Sequence, residues 1–214
     1  MNIAVFGASG AIGKLFTNIA LEKGDNVIAY VRRPESMDIK HANLQAIVGD
    51  LSNASLIEQV ISNADIVVST LGPSLNAPRK STGSPIADGH RNMINAMQKM
   101  NKKQFITLGT PSIHSDDDKK QLWTVLPALL PKIFSPSAYQ EMVKIEQLVR
   151  SSSLDWTVIR IINPNVKHNN NGYSYSLGNT SVKAAVSREN VAAFFYEVAS
   201  RNLCIYHMPI VFNK

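Results

Sequence analysis

The sequence predicts an α/β protein in a single domain, residues 1–214, built on a doubly wound parallel sheet. Three observations carry this expectation. Short apolar runs rich in Val and Ile alternate with segments of helical period, the pattern of parallel strands joined by crossover helices. The first of these runs leads directly into three evenly spaced glycines, Gly7, Gly10 and Gly13, and then into a helical segment. Finally, no linker or break in composition divides the 214 residues into two apolar blocks.

Strands are expected at residues 3–6, 26–31, 44–48, 66–70, 104–108 and 156–162, each short and apolar on both faces, as strands covered by helices must be. Helices are expected at 12–23, 54–62, 86–100, 138–152 and 188–200, with Gly24 closing the first as a C-cap and a last strand at 204–210. Two stretches, at about 72–85 and 110–136, are too polar or too Pro-rich for either element. Both follow the carboxyl ends of strands, where open α/β sheets form their ligand crevice, so they are expected to be substrate loops. The run Asp116-Asp117-Asp118-Lys119-Lys120 reads as a solvated loop, and residues 169–172 read as a turn.

Composition excludes several functions. The 22 Lys and Arg against 16 Asp and Glu give a formal charge of +6, but the cations are scattered and lack interleaved aromatics. That predicts a surface attractive to small anions, with no nucleic-acid partner. No apolar stretch reaches the roughly 18 residues of a transmembrane helix, so no membrane partner is expected. The opening residues lack the basic and long apolar regions of a secretory leader, and the lone Cys204 sits in an apolar run as a buried structural thiol, so a cytoplasmic location is expected. The five histidines, at 41, 90, 114, 168 and 207, show no metal-ligand spacing, and no metal site is expected.

The glycines carry the chemistry. In Phe6-Gly7-Ala8-Ser9-Gly10-Ala11-Ile12-Gly13, Gly7 permits a tight turn, Gly10 lets the backbone approach a pyrophosphate, and Gly13 lets the helix pack closely on the strand. Ser9, Ala11 and Ile12 complete a turn whose backbone N–H groups, with the positive end of the helix, suit phosphate. A P-loop is excluded, because Ala8 stands where that motif needs glycine and Leu15 where it needs Ser or Thr. The pattern is that of a Rossmann-type dinucleotide site. The second strand ends in Val31-Arg32-Arg33, with no acid to hold a ribose 2′-hydroxyl, so Arg32 and Arg33 either bind the 2′-phosphate of NADP(H) or are a solvated surface pair. Asp50 and Leu51 after the third strand are placed to face the adenine, and Gly72 after the fourth lets the chain pass close to the cofactor.

With these pieces in place, the sequence resembles the atypical short-chain dehydrogenases of the NmrA-like group, and within it the biliverdin-IXβ reductase and NADPH-dependent flavin reductase branch. The resemblance rests on Gly7 to Gly13, Val31-Arg32, Gly49-Asp50, Leu71-Gly72, Asp88-Gly89, Arg91-Asn92, Ala96-Met97, Leu154 to Arg160 and Val186-Ser187-Arg188. Better-known members use a Tyr and a Lys four residues apart to pass a proton. Here Tyr139 and Lys144 are five apart, out of that register. With Glu146 and Trp156 setting the alignment, the Tyr position falls at Ala138 and the Lys position at Met142.

What the resemblance implies is an NADPH-dependent reductase that transfers hydride to a flat conjugated acceptor, a flavin, quinone or tetrapyrrole. The alternative is a regulatory protein that senses NADP(H) without turnover. The hydroxyl of the branch's site corresponds to Thr110 or Ser112, although Thr110 could equally cap a turn. Trp123 and Tyr139 either stack on an aromatic acceptor or pack on the core. A monomer or homodimer is expected.

Overall fold

The structure, a computed structural model, describes residues 1–72, 83–111, 113–119, 136–168, 170–183 and 185–214. Most of the two expected substrate loops, together with Ser112, Trp123 and Asn169, lies outside the described residues.

The chain runs β1 (Asn2–Phe6), α1 (Ala11–Glu22), β2 (Asn26–Val31), β3 (Leu44–Val48), α2 (Ala54–Ser62), β4 (Ile66–Ser69), α3 (Pro85–Lys99), β5 (Gln104–Gly109), α4 (Pro136–Arg150), β6 (Asp155–Ile161), β7 (Tyr173–Ser176), α5 (Arg188–Arg201) and β8 (Ile210–Asn213). The strands form one sheet in the order β3-β2-β1-β4-β5-β6-β8-β7. Every pairing is parallel except that of β7 with β8. This is the doubly wound α/β arrangement expected. The strand order reverses between β1 and β4, which opens a crevice at their carboxyl ends.

Two apolar layers enclose the sheet. On one face α1 and α5 bury Phe16, Ala20, Phe194, Phe195 and Val198 against Val5, Val68 and Ile106. On the other face α2, α3 and α4 bury Ile57, Val60, Met93, Met97, Met142 and Val149 against Phe6, Val67 and Phe105. Central strands clad on both sides in this way read as continuous Val and Ile runs, which is why they were legible in the sequence. The ends of the helices follow local chemistry. Gly24 takes φ +84° and closes α1 as expected, while Asn53 and Ser187 cap α2 and α5 by accepting the N–H groups of Leu56 and Asn190.

Three expectations need correction. The last strand begins at Ile210, not at residue 204. Residues Asn202, Cys204 and Tyr206 each take a left-handed φ between 52° and 64°, which twists the chain through turns before β8. Cys204 itself is only partly buried. The edge strand β7 went unread because Tyr-Ser-Tyr-Ser has little apolar content, and its half-exposed place needs little. The acidic run is not wholly solvated either. The side chain of Asp118 is 6% exposed and meets the buried Arg160 of β6 through two hydrogen bonds, at 2.6 and 2.7 Å.

Candidate functional site

The glycine turn is held by its own backbone and by the end of β4. Gly7 takes φ +86°, and its carbonyl accepts the Gly10 N–H at 2.9 Å and the Thr70 hydroxyl at 3.1 Å. A β carbon at Gly13 would stand 2.1 Å from that same carbonyl, so α1 reaches the turn only because residue 13 has none. Gly10 is the N-cap of α1, no side chain caps it, and the first turn of the helix holds no acid. Positive helix-end potential and N–H donors therefore face outward.

They face a cavity of about 620 Å³ at the carboxyl ends of the central strands. One end lies over β2 and β3, lined by Arg32, Asp50 and Ser52. Tyr30 donates to the Asp50 carbonyl at 2.7 Å, and a β carbon at Gly49 would strike the Tyr30 hydroxyl at 2.2 Å, so the turn after β3 is closely packed. Asp50 Oδ1 accepts the Ser52 N–H at 2.9 Å. The Ser52 N–H and hydroxyl, with a smaller contribution from the Arg32 charge, hold the Asp50 carboxyl below its usual range. Asn92 of α3 donates to the Leu51 carbonyl at 2.8 Å and ties this turn to the other wall.

The opposite end passes Thr70, Leu71 and Gly72 and finishes against the first turns of α3 and α4, with Pro85, Ile86, Ser137, Ala138 and Glu141. Glu141, 8% exposed, accepts the N–H groups of Ile86 and Ala87 through one oxygen, Oε1, at 2.6 and 3.2 Å. Lys144 donates to Ser84, the N-cap residue of α3, at 2.7 Å. Below this wall His90 is fully buried. Its Nδ1–H donates to the Ile86 carbonyl at 2.7 Å, since a carbonyl can only accept, and Nε2 then accepts from Thr107 at 2.9 Å. Burial lowers this imidazole to about 4, so it is neutral.

Residues 7–202 match the NAD(P)H-binding family. The chain belongs to that family. Over 128 residues it is 27% identical to cinnamoyl-CoA reductase 1 of Petunia hybrida, a match covering 55% of this chain and about 38% of that relative's length. Among solved structures it is similar to a short-chain dehydrogenase/reductase from Veillonella parvula in complex with NADP, with TM-score 0.77 and 19% identity, covering 99% of this chain and 94% of that one. It is also similar to the anaerobillin reductase ChuY of Escherichia coli O157:H7, again with TM-score 0.77 and 19% identity, covering all of this chain and 97% of that one. Likeness at this identity establishes the fold.

For a member of the NAD(P)H-binding family, the glycine cradle passes a direct test of fit. It leaves space where a β carbon at Gly13 would collide, and it leaves helix-end donors uncapped beside a cavity. Gly7, Ser9, Gly10, Arg32, Asp50, Leu51 and Gly72 all line that cavity, while Ala11, Ile12 and Gly13 stand behind the turn in the first turn of α1. Other residues singled out from the sequence stand elsewhere. Arg33 is exposed and lies 3.9 Å from Glu35. Thr110 follows β5 but is not among the cavity-lining residues, and neither is Tyr139, because α4 presents residues 137, 138 and 141 to the cavity. The described part of the loop after β5 is drawn toward β6 by the Asp118–Arg160 pair, and Ser115, Asp116 and Asp117 line a separate groove beside Arg150 and His207. Sequence reasoning missed Thr70, Asn92, Ser137 and Glu141. Only Asn92 had a signal, its place in a segment that carries the family resemblance. Among the described residues no three His, Cys, Asp or Glu gather as metal ligands, and no helix is long and apolar enough to cross a membrane.

Proposed function

We propose that this protein is an NADPH-dependent reductase of a flat conjugated acceptor, a flavin, quinone or tetrapyrrole. The observation that carries this reading is the continuity of one cavity, from Arg32 and Asp50, past the glycine turn, to an apolar and polar wall at Leu71, Gly72, Ile86 and Ala138. A dinucleotide laid along the first part leaves the second part for an acceptor. When bound, the dihydronicotinamide supplies the hydride, two electrons with the hydrogen, and solvent supplies the balancing proton. The residues of the chain supply position. The α1 N-terminus and Gly10 receive the pyrophosphate, Arg32 receives the 2′-phosphate, and Asp50 faces the adenine.

With Glu146 and Trp156 setting the alignment, the tyrosine position of the related enzymes falls at Ala138, which offers the wall no phenol at that point. This favours acceptors whose reduction needs no side-chain acid. It also supports the second reading, a protein that binds NADP(H) and signals its redox state to a partner. Oxidation of NADPH, followed by absorbance with riboflavin, menadione and biliverdin as acceptors, separates the two. Steady turnover with any of them is expected. Tight NADPH binding without turnover would replace the reductase with the sensor.

A further inference from the structure

The turn after β3, which closes one end of the cavity, is held in place by side chains of β2 and α3. Tyr30 of β2 is buried, its ring lies 5.0 Å from that of Phe6, and its hydroxyl donates to the Asp50 carbonyl at 2.7 Å. The same carbonyl accepts the Asn53 N–H at 3.0 Å, so both of its acceptor positions are in use. The next carbonyl, that of Leu51, accepts from Nδ2 of Asn92 on α3 at 2.8 Å. Two glycines permit this fit. A β carbon at Gly49 would stand 2.2 Å from the Tyr30 hydroxyl, and one at Gly89 would stand 2.9 Å from the β carbon of Leu51. The Asp50 side chain, by contrast, is exposed and lines the cavity, with Oδ1 accepting the Ser52 N–H at 2.9 Å. A carboxylate has about four lone-pair sites on its two oxygens, so it can take a further donor from a ligand. An exposed acceptor is thus mounted on a main-chain turn that is pinned from within the fold.

We propose that Tyr30 and Asn92 are positioning residues for the base of the dinucleotide. By fixing the Asp50 and Leu51 carbonyls they hold the Asp50 carboxylate where it accepts the 6-amino group of adenine, which makes the site selective for adenine over a 6-oxo purine. The inference rests on the dinucleotide reading of this cavity and deepens it. An amino group donates, whereas a 6-oxo group only accepts. In hypoxanthine that oxygen would face the carboxylate, and the one proton on the same edge sits on the neighbouring ring nitrogen, N1. A carboxylate free to swing reaches that N–H and binds either base. One that is fixed meets oxygen with oxygen and rejects hypoxanthine, so discrimination depends on the rigidity that Tyr30 and Asn92 give to the turn.

The test is calorimetric titration of the full chain with NADP⁺, with its hypoxanthine analogue deamino-NADP⁺, and with NAD⁺. Binding is read without turnover, so a reductase and a sensor give the same answer. Wild type should bind NADP⁺ about tenfold more tightly than deamino-NADP⁺, as expected for a bond to a charged group. Tyr30→Phe keeps the ring against Phe6 and leaves the Asp50 carbonyl with the Asn53 N–H, so only the hydroxyl donor is lost. It should cut the ratio to about threefold or less, chiefly by weakening NADP⁺. Asn92→Ala should act in the same direction. Gly89→Ala removes no hydrogen bond and suits a helix better, but its β carbon pushes Leu51, so it too should lower the ratio. In all three the preference for NADP⁺ over NAD⁺ should persist, because Arg32 is untouched. Thermal melts separate loss of recognition from loss of fold, and Tyr30→Phe with Gly89→Ala carries the test should Asn92→Ala melt early. A purely structural role would weaken all three nucleotides in proportion and leave both ratios at their wild-type values. That result would overturn the inference, as would a wild type that binds NADP⁺ and deamino-NADP⁺ alike, with the dinucleotide reading left standing. Failure to bind any of the three nucleotides would overturn that reading and the inference with it.

Discussion

Gly13 and Gly7 meet so closely that a β carbon on the first would lie 2.1 Å from the carbonyl oxygen of the second. Gly10, in the same turn, is different: its φ is −75°, and a β carbon there would touch only the Gly7 carbonyl, at 3.1 Å. The two glycines therefore separate folding from binding. Gly13→Ala should destabilise the protein by about 1–3 kcal/mol, as overpacking against backbone does. Gly10→Val should keep the melting temperature within a few degrees and abolish dinucleotide binding. Calorimetry with NADPH checks the pair, and unchanged affinity in Gly10→Val would remove the cofactor assignment from this turn.

Arg32 lines the cavity and Arg33 does not, so the two arginines expected from the sequence to share a 2′-phosphate should behave unequally. Arg32→Ala should remove most of the preference for NADPH over NADH. One charge-assisted bond of about 1.5–3 kcal/mol makes that preference tenfold or more. Arg33→Ala should leave it within about twofold. Because the phosphate would sit near solvent, raising salt should narrow the wild-type preference. Dissociation constants for both nucleotides at two salt concentrations give the answer, and equal wild-type affinities would refute it.

Tyr139→Phe should retain turnover within about threefold. The helix turns residues 137, 138 and 141 toward the cavity, and Lys144 is engaged by Ser84 instead of sitting beside a phenol. Loss of a general acid typically costs about 10² to 10⁴-fold. A fall of that size in kcat would make Tyr139 the proton donor.

The buried pair behind the loop after β5 should be costly to break. Burial pushes the Asp118 carboxyl up, but the Arg160 hydrogen bonds, the Ser115 N–H and the charges of Arg160 and His114 outweigh it and hold the group below its ordinary value. Asp118→Ala leaves the Arg160 guanidinium, 1% exposed, with only the carbonyls of Met208 and Ile113 among the described residues, and should cost about 3–5 kcal/mol in urea titrations. The carboxyl's contribution is complete above its unfolded value and fades as pH falls through the lower folded one.

His90 gives a pH dependence in a different window. Its folded value, about 4, lies below the ordinary 6.5, so between these values the unfolded chain binds the extra proton. Stability should therefore fall as pH drops from 6.5 toward 4, by about 3 kcal/mol in all, and be unaffected by this group above 6.5. Comparing urea midpoints of wild type and His90→Gln across that window isolates the effect. Parallel curves would show that His90 is not held neutral.

The sequence carried the central sheet and the cofactor end of the site because both depend on local signals. A strand covered on two faces must be apolar throughout, and a turn that admits phosphate must lack side chains at fixed places. Asn26–Val31, buried from its second residue onward, was read to the residue for that reason. The opposite wall of the cavity was not legible, because it is made where α3 and α4 meet. Glu141 looks like any charged residue of an amphipathic helix until Ile86, 55 positions earlier, is seen to donate to it. Asp118 misled for the same reason, since Arg160 lies 42 positions away in the chain.

Ala138 and Met142 stand in surroundings that would receive a Tyr and Lys pair unequally. A tyrosine at 138 would at least face the cavity, but Met142 is 1% exposed within the apolar cluster of Met97, Ile145, Val149 and Trp156. A lysine introduced there would lose water without gaining a partner and would shed its proton near neutrality. It could not supply the cationic neighbour that a proton-passing tyrosine requires. Installing a Tyr and Lys pair at positions 138 and 142 would therefore take a rebuilt helix interface, not two substitutions.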